Sequence, residues 1–140
     1  MRNSNGIGLA APQIGHGVQV LVYDLYDDLR TGHIINPQIV SSDGVVDSEE
    51  GCLSIPGYFG TVKRKEDLEV VGFNMYGEPI SISGNEKLSK CLQHEIDHLN
   101  GILFIERLDK EEYQNFLKDF RELSWYTPDL ESSLKLSPHL

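Results

Sequence analysis

Cysteine is scarce in this chain: only Cys52 and Cys91 among 140 residues. Two thiols in unlike sequence settings do not suggest a disulfide framework. A reducing cytoplasm suits unpaired thiols better. Long apolar runs are also missing, and none approaches the roughly 18 residues of a membrane span. No secretory pattern opens the chain. The expected location is the cytoplasm, or an organelle stroma or matrix if a transit peptide has been removed. Positive charge is short as well. Twelve Lys and Arg face 22 Asp and Glu, for a net charge of −10. The only basic cluster is "KRK" at 63–65, which argues against nucleic acid as a direct substrate. Repeats and internal linkers are absent. Residues 1–126 are expected to form one domain and 127–140, "TPDLESSLKLSPHL", a flexible tail.

What the chain does have is a histidine pattern. "QHEIDHLNG", residues 93–101, contains H-E-x-x-H. Leu88, Cys91, Leu92, Ile96 and Leu99 recur at three- and four-residue intervals around it. That spacing predicts a helix from about Glu86, with Gly101 as its stop. Four residues make just over one helical turn, so His94 and His98 share a face and can grip one small cation. Glu95 can reach a water beside that cation, as in the hydrolytic form of the motif. The alternative is chance spacing among five histidines.

Two histidines do not complete a site, because catalytic centres of this kind usually have three protein ligands. "LNGILFIERL" downstream offers no third histidine. Glu122 is one alternative, although its polar helix is expected to face water. Cys52, in "EEGCLSIPG" (49–57), is another, since a thiolate is a strong ligand for iron, zinc or nickel. Taken alone, Cys52 would more often be an ordinary buried thiol.

The rest of the chain reads as strands and a second helix. "VQVLVYD" (18–24) and "HIINPQIV" (33–40) are expected strands, the second broken by Pro37. "GVVDSEEGCLSI" is extended. "TVKRKEDLEVVGFNMYGEPISIS" (61–83) forms strands around a turn at Tyr76-Gly77. Asp109 is expected to cap a last helix, with Glu111 and Glu112 in its first turn, ending near Tyr126 before Pro128. The fold class is α+β: mostly antiparallel strands around a central helix bearing HEIDH, plus a C-terminal helix.

Three segments together carry a resemblance. "GIGLAAPQIG" (6–15), "EGCLS" (50–54) and "QHEIDHLNG" (93–101) resemble, in order, the signature motifs of peptide deformylases. The resemblance runs from about Asn5 to Leu108. Members of that family usually carry a strand and a helix before the first motif, which this sequence reaches at Asn5-Gly6. Apolar sheet surface is therefore expected to be exposed.

The resemblance implies that Cys52, His94 and His98 hold one divalent metal, Fe(II) by expectation, with Zn, Ni or Co as substitutes. Glu95 becomes the general base, and the Gln13 amide and Leu53 N–H become donors to the developing oxyanion. Ile7, Gly8 and Gly51 become a main-chain docking edge. Tyr58, Phe59 and Cys91 become candidates for the methionine pocket, and Glu50 with Arg64 a pair that steadies a ligand. For Gln13 the alternative is an ordinary loop residue, for Cys91 a core thiol, and for Glu50–Arg64 a surface ion pair. The implied substrates are N-formylmethionyl nascent peptides, with no membrane partner. The ribosome is a further implied partner, although "DKEEYQNFLKDFRELSWY" (109–126) carries five acids against three bases. Two other functions remain open: a zincin-type endopeptidase, and an inactive metal- or peptide-binding relative.

Overall fold

A computed structural model describes residues 1–27, 30–123, 127 and 129 of the chain. Five antiparallel strands make the main sheet, in the order β1-β2-β3-β6-β7. They are β1 (Gly8–Ala10), β2 (Val20–Asp24), β3 (Thr31–Asp43), β6 (Asp67–Phe73) and β7 (Pro79–Gly84). A separate hairpin pairs β4 (Val46–Cys52) with β5 (Ile55–Arg64). Helix α1 (Glu86–Leu99) lies on the main sheet, and α2 (Lys110–Phe120) follows a short 3-10 turn at Phe104–Arg107.

Side-chain alternation decides which sheet face α1 covers. Leu21 and Tyr23 of β2 turn inward with Ile34, Leu68 and Val70, and Val22 turns outward. Those inward residues meet Leu88, Cys91, Leu92, Ile96 and Leu99 of α1 in one cluster. Full burial of each large aliphatic side chain contributes about 1.5–3 kcal/mol. The outward face keeps Val22 and Phe73 exposed. A second cluster joins Ile55 and Val62 of β5 to Phe104, Ile105, Phe116 and Phe120. The site-bearing helix is thus held by the sheet, and the hairpin by the C-terminal elements.

Two expectations need correction. β3 does not stop at Pro37. It runs through, and its register against β6 shifts between Ile35 and Gln38. Proline lacks the N–H that a ladder needs, and an irregularity absorbs that loss. Asn36 takes a left-handed φ of 51° at this point. The last helix ends at Phe120 rather than near Tyr126. The amides of Glu122 and Leu123 bond three residues back, to Asp119 and Phe120 (2.9 and 3.2 Å), so the chain has already tightened out of the α-helix. Tyr126, Pro128 and residues 130–140 of the expected tail lie outside the described residues. The start of α2 is as expected, with the Asp109 carboxylate accepting from the Glu112 amide at 2.8 Å. Among the described residues, no helix is long and apolar enough to cross a membrane.

Candidate metal centre

Helix α1 is buried on nearly every side, which is unusual for a segment carrying so many polar groups. His94 and His98 leave it one turn apart, with their Nε2 atoms 3.2 Å from each other. Cys52, at the end of β4, brings Sγ to 3.1 Å from His98 Nε2. A register irregularity between Gly51 and Cys52 turns the strand at this point. Cys52, His94 and His98 are the one His, Cys, Asp or Glu group among the described residues whose ligand atoms converge, all within 4.8 Å of one another. Glu122 is exposed beyond α2 and belongs to no such group.

The donor set fits a small divalent cation. Bonds of about 2.0 Å to nitrogen and 2.3 Å to sulfur place tetrahedral donors about 3.3–3.6 Å apart. The two His Nε2 atoms are 3.2 Å apart and Cys52 Sγ lies 3.1 Å from His98 Nε2, within about half an ångström of that. The histidine tautomer fits as well. His94 Nδ1 lies 2.9 Å from Glu50 Oε2, so its hydrogen goes there and Nε2 keeps a lone pair for the cation. Burial opposes charge on the Cys52 thiol. Contacts to His94 and His98, with the Ser54 amide, outweigh burial and bring its pKa down to about 5. Burial also opposes charge on His94, yet Cys52 and Glu50 lift its pKa to about 10. The first shift favours a thiolate on Cys52, and the second favours positive charge on the His94 ring beside it.

Glu95 stands beside this centre, 4 % exposed. Burial pushes its pKa up to about 7, against the pull of His94 and His98. Its Oε2 is buried with no hydrogen-bond partner among the described residues, a costly state that a water or substrate group would relieve. Gln13 comes from the 3-10 turn after β1. Its Oε1 accepts from the Ala10 amide at 2.9 Å. That leaves Nε2 directed at Ser54 Oγ (3.2 Å) and Cys52 Sγ (3.6 Å). One amide end is thereby fixed, and the donor end faces the centre.

Behind His94 lies a buried charge ladder. Arg64 donates Nε and Nη2 to Glu50 at 2.7 and 2.9 Å, and Nη1 to Asp97 at 2.6 Å. Arg107 completes it, with Nη2 2.8 Å from Asp97 Oδ1. Burial raises the Glu50 carboxyl, but Arg64 and His94 reverse this and hold it down at about 2. Glu50 and Arg64 therefore form an interior pair rather than a surface one.

The polypeptide deformylase family profile matches residues 1–114. A curated peptide deformylase of Parafrankia sp. (strain EAN1pec) is 46 % identical over 140 residues, covering 99 % of this chain and 75 % of the relative. The chain belongs to the polypeptide deformylase family. Among solved deformylase structures, that from Thermus thermophilus superposes with a TM-score of 0.82 at 39 % identity, covering 87 % of this chain and 73 % of that one. The Synechococcus elongatus deformylase, solved in complex with actinonin, gives 0.80 at 39 % identity, covering 89 % and 70 %.

The remaining deformylase candidates are distributed as follows. Gly8 is buried against α1, where a β-carbon would lie 2.4 Å from Glu95 Oε1 and 2.8 Å from Cys91 Sγ. Cys91 is buried in the main core, with Sγ 3.5 Å from the Ile7 carbonyl. Ile7 and Leu53 are partly exposed. Phe59 is exposed and lies over Gly51, where a β-carbon would meet its ring at 2.7 Å. Tyr58 stacks on Phe104 and meets Phe116 edge-on, at 6.3 and 4.7 Å between centroids. It reaches the centre only through Phe104, whose ring lies 6.2 Å from that of His94. Asp97 and Arg107 were not anticipated. The one signal for them was Asp97 itself, an acid between two histidines on a helix whose neighbours are apolar.

Proposed function

We propose that this chain is a metal-dependent hydrolase that removes the formyl group from the N-terminal formyl-methionine of newly made polypeptides, releasing formate. The observation that carries this reading is the convergence of Cys52 Sγ and the Nε2 atoms of His94 and His98. The buried Glu95 carboxylate beside them supports it. When bound by these three residues, a divalent cation, Fe(II) by expectation, supplies a Lewis acid and makes water nucleophilic near neutral pH. Zn, Ni or Co would suit the same one-sulfur, two-nitrogen set.

The chain's own groups do the rest. Glu95 accepts the proton of the attacking water and delivers it to the amine as the carbon–nitrogen bond breaks. A carboxyl held near 7 by burial can move a proton in both directions at neutral pH. Negative charge develops on the formyl oxygen, and pre-placed donors stabilise it. The fixed Nε2 of Gln13 and the Leu53 N–H are the assigned donors. The substrate's main chain docks along β1. This strand is an edge of the sheet, paired only with β2. The Asp24 amide bonds the Ile7 carbonyl at 2.8 Å, so backbone groups alternate and those of Gly8 turn to the open side. Pairing there reads main chain and tolerates many sequences. Cys91, Tyr58 and Phe59 remain candidates for the methionine pocket. The cytoplasm, or an organelle interior, is the location this substrate implies. Ribosome docking has little electrostatic support, because α2 and its flanks are acidic.

An endopeptidase would need a third ligand downstream, and exposed Glu122 does not supply one. The test is formate release by anaerobically purified, metal-assayed protein. Rapid cleavage of formyl-Met-Ala-Ser is expected, with much slower cleavage of acetyl-Met-Ala-Ser and none of casein. Casein cleavage that depends on Glu95 would overturn the proposal for an endopeptidase. A metal-loaded protein that releases no formate would leave a binding relative.

A further inference from the structure

The turn between β2 and β3 holds a bulky residue in an unfavourable conformation. Tyr26 has φ 57°, in the left-handed region where an aromatic L-residue is an outlier. Two contacts hold it there. Its amide donates to Asp24 Oδ1 at 2.9 Å, and its hydroxyl donates to the Gly6 carbonyl at 3.0 Å. Asp24 is itself a hub. Its Oδ1 also accepts from Thr31 Oγ1 at 3.0 Å, and its Oδ2 from Arg2 Nε at 2.7 Å. Its amide bonds the Ile7 carbonyl at 2.8 Å. Gly6 and Ile7 are therefore gripped from one turn, and both lie immediately before β1.

That segment needs holding. β1 has only three residues, and two glycines flank Ile7, so ordering it costs more backbone entropy than usual. Gly6 also lies beneath Leu53, where a β-carbon would sit 3.2 Å from Leu53 Cδ1. A shift at Gly6 would move both the docking edge and the loop carrying the Leu53 amide.

We infer that Asp24 and Tyr26 are positioning residues that clamp the Gly6–Ile7 backbone and so set the edge of β1 for the peptide main chain. The inference rests on the deformylase reading for its substrate. It makes a length-dependent prediction, because each residue beyond methionine adds main chain that can pair with the edge. The experiment compares kcat and KM for formyl-Met-amide and formyl-Met-Ala-Ser in wild type, Tyr26→Phe and Asp24→Asn. Bound metal, Tm and amide exchange over residues 7–10 are measured alongside. Tyr26→Phe deletes only a hydroxyl on an exposed side chain, so it is the variant that should fold if Asp24→Asn does not. In wild type, lengthening the substrate raises kcat/KM. In the variants about threefold or more of that gain is lost through KM, metal content holds, and exchange over 7–10 quickens. An unchanged length gain in both variants would overturn the inference. So would an equal loss on both substrates that follows Tm, which marks a merely structural role. If exchange quickens but wild type releases no formate, the clamp stands and the deformylase reading fails.

Discussion

Gly8→Ala separates two reasons for a glycine in β1. One is backbone freedom, and the other is space. Gly8 does not have a positive φ, so alanine can adopt its conformation. On that ground alone the change would stabilise the chain by about 0.4–1 kcal/mol through the unfolded state. Space says otherwise. The new β-carbon would lie 2.4 Å from Glu95 Oε1, 2.8 Å from Glu95 Cδ and 2.8 Å from Cys91 Sγ. Overpacking of this kind costs about 1–3 kcal/mol when the surroundings yield only partly. The nearest atom is the far end of a flexible side chain, so the carboxylate yields first. The two effects partly offset, and the net loss is about 1–2 kcal/mol, a Tm fall of several degrees. The catalytic effect is larger, because a proton carrier displaced by an ångström loses about 10²-fold in rate. The assay is kcat on formyl-Met-Ala-Ser with metal content and Tm on the same sample. Metal should hold, Tm should fall by several degrees and kcat should collapse. Gly17→Ala is the comparison, since its β-carbon meets nothing within 4 Å and its φ is not positive. Near-normal kcat in Gly8→Ala would refute both the crowding argument and the need for Glu95 in its present place.

Cys52→Ala should remove most bound metal and most activity, since the converging set falls to two ligands; unchanged metal content would discard the assignment. Glu95→Ala should keep its metal while losing about 10²-fold or more in rate, and near-normal turnover would show that another group carries the proton. Arg64→Met leaves Glu50 and Asp97 without their shared cation in the interior. It should destabilise by about 3–5 kcal/mol in a urea titration. A loss below about 1 kcal/mol would show that water replaces the guanidinium.

The helix carrying the candidate ligands was legible because its information is local. Apolar residues at helical spacing mark the buried face, and two histidines four apart mark the site. Cys52 was legible only by resemblance, because a strand irregularity far upstream brings it to the histidines, and no periodicity reports that. Strand positions could be read from alternation, but the run of β3 through Pro37 could not. It depends on the partner strand tolerating a register shift. The end of α2 was misjudged for a related reason. The helix buries Phe116 and Phe120, but the amides of Glu122 and Leu123 bond only three residues back, a tightening that apolar spacing does not report. Asp97 and Arg107 were hidden. A buried acid becomes recognisable only when the arginines that neutralise it, from β5 and the 3-10 turn, are seen beside it.

The ladder from Arg107 through Asp97, Arg64 and Glu50 to His94 poses an energetic question. Buried ion pairs contribute little net stability, and well-packed apolar residues often do as well. Stability alone therefore does not account for so many charged groups in the interior of so small a protein. Orientation does. An apolar neighbour cannot fix the hydrogen of His94 on Nδ1, and without that the ring could present Nε2–H instead of a lone pair to a cation at the proposed site. Glu50 fixes it, but a lone buried carboxylate would itself pick up a proton. Arg64 keeps Glu50 ionised, and Asp97, held by Arg107, keeps Arg64 from turning away. Each member is needed because the previous one is charged and buried. The ladder ends at Arg107, whose side chain is 45 % exposed, where water can take over the solvation.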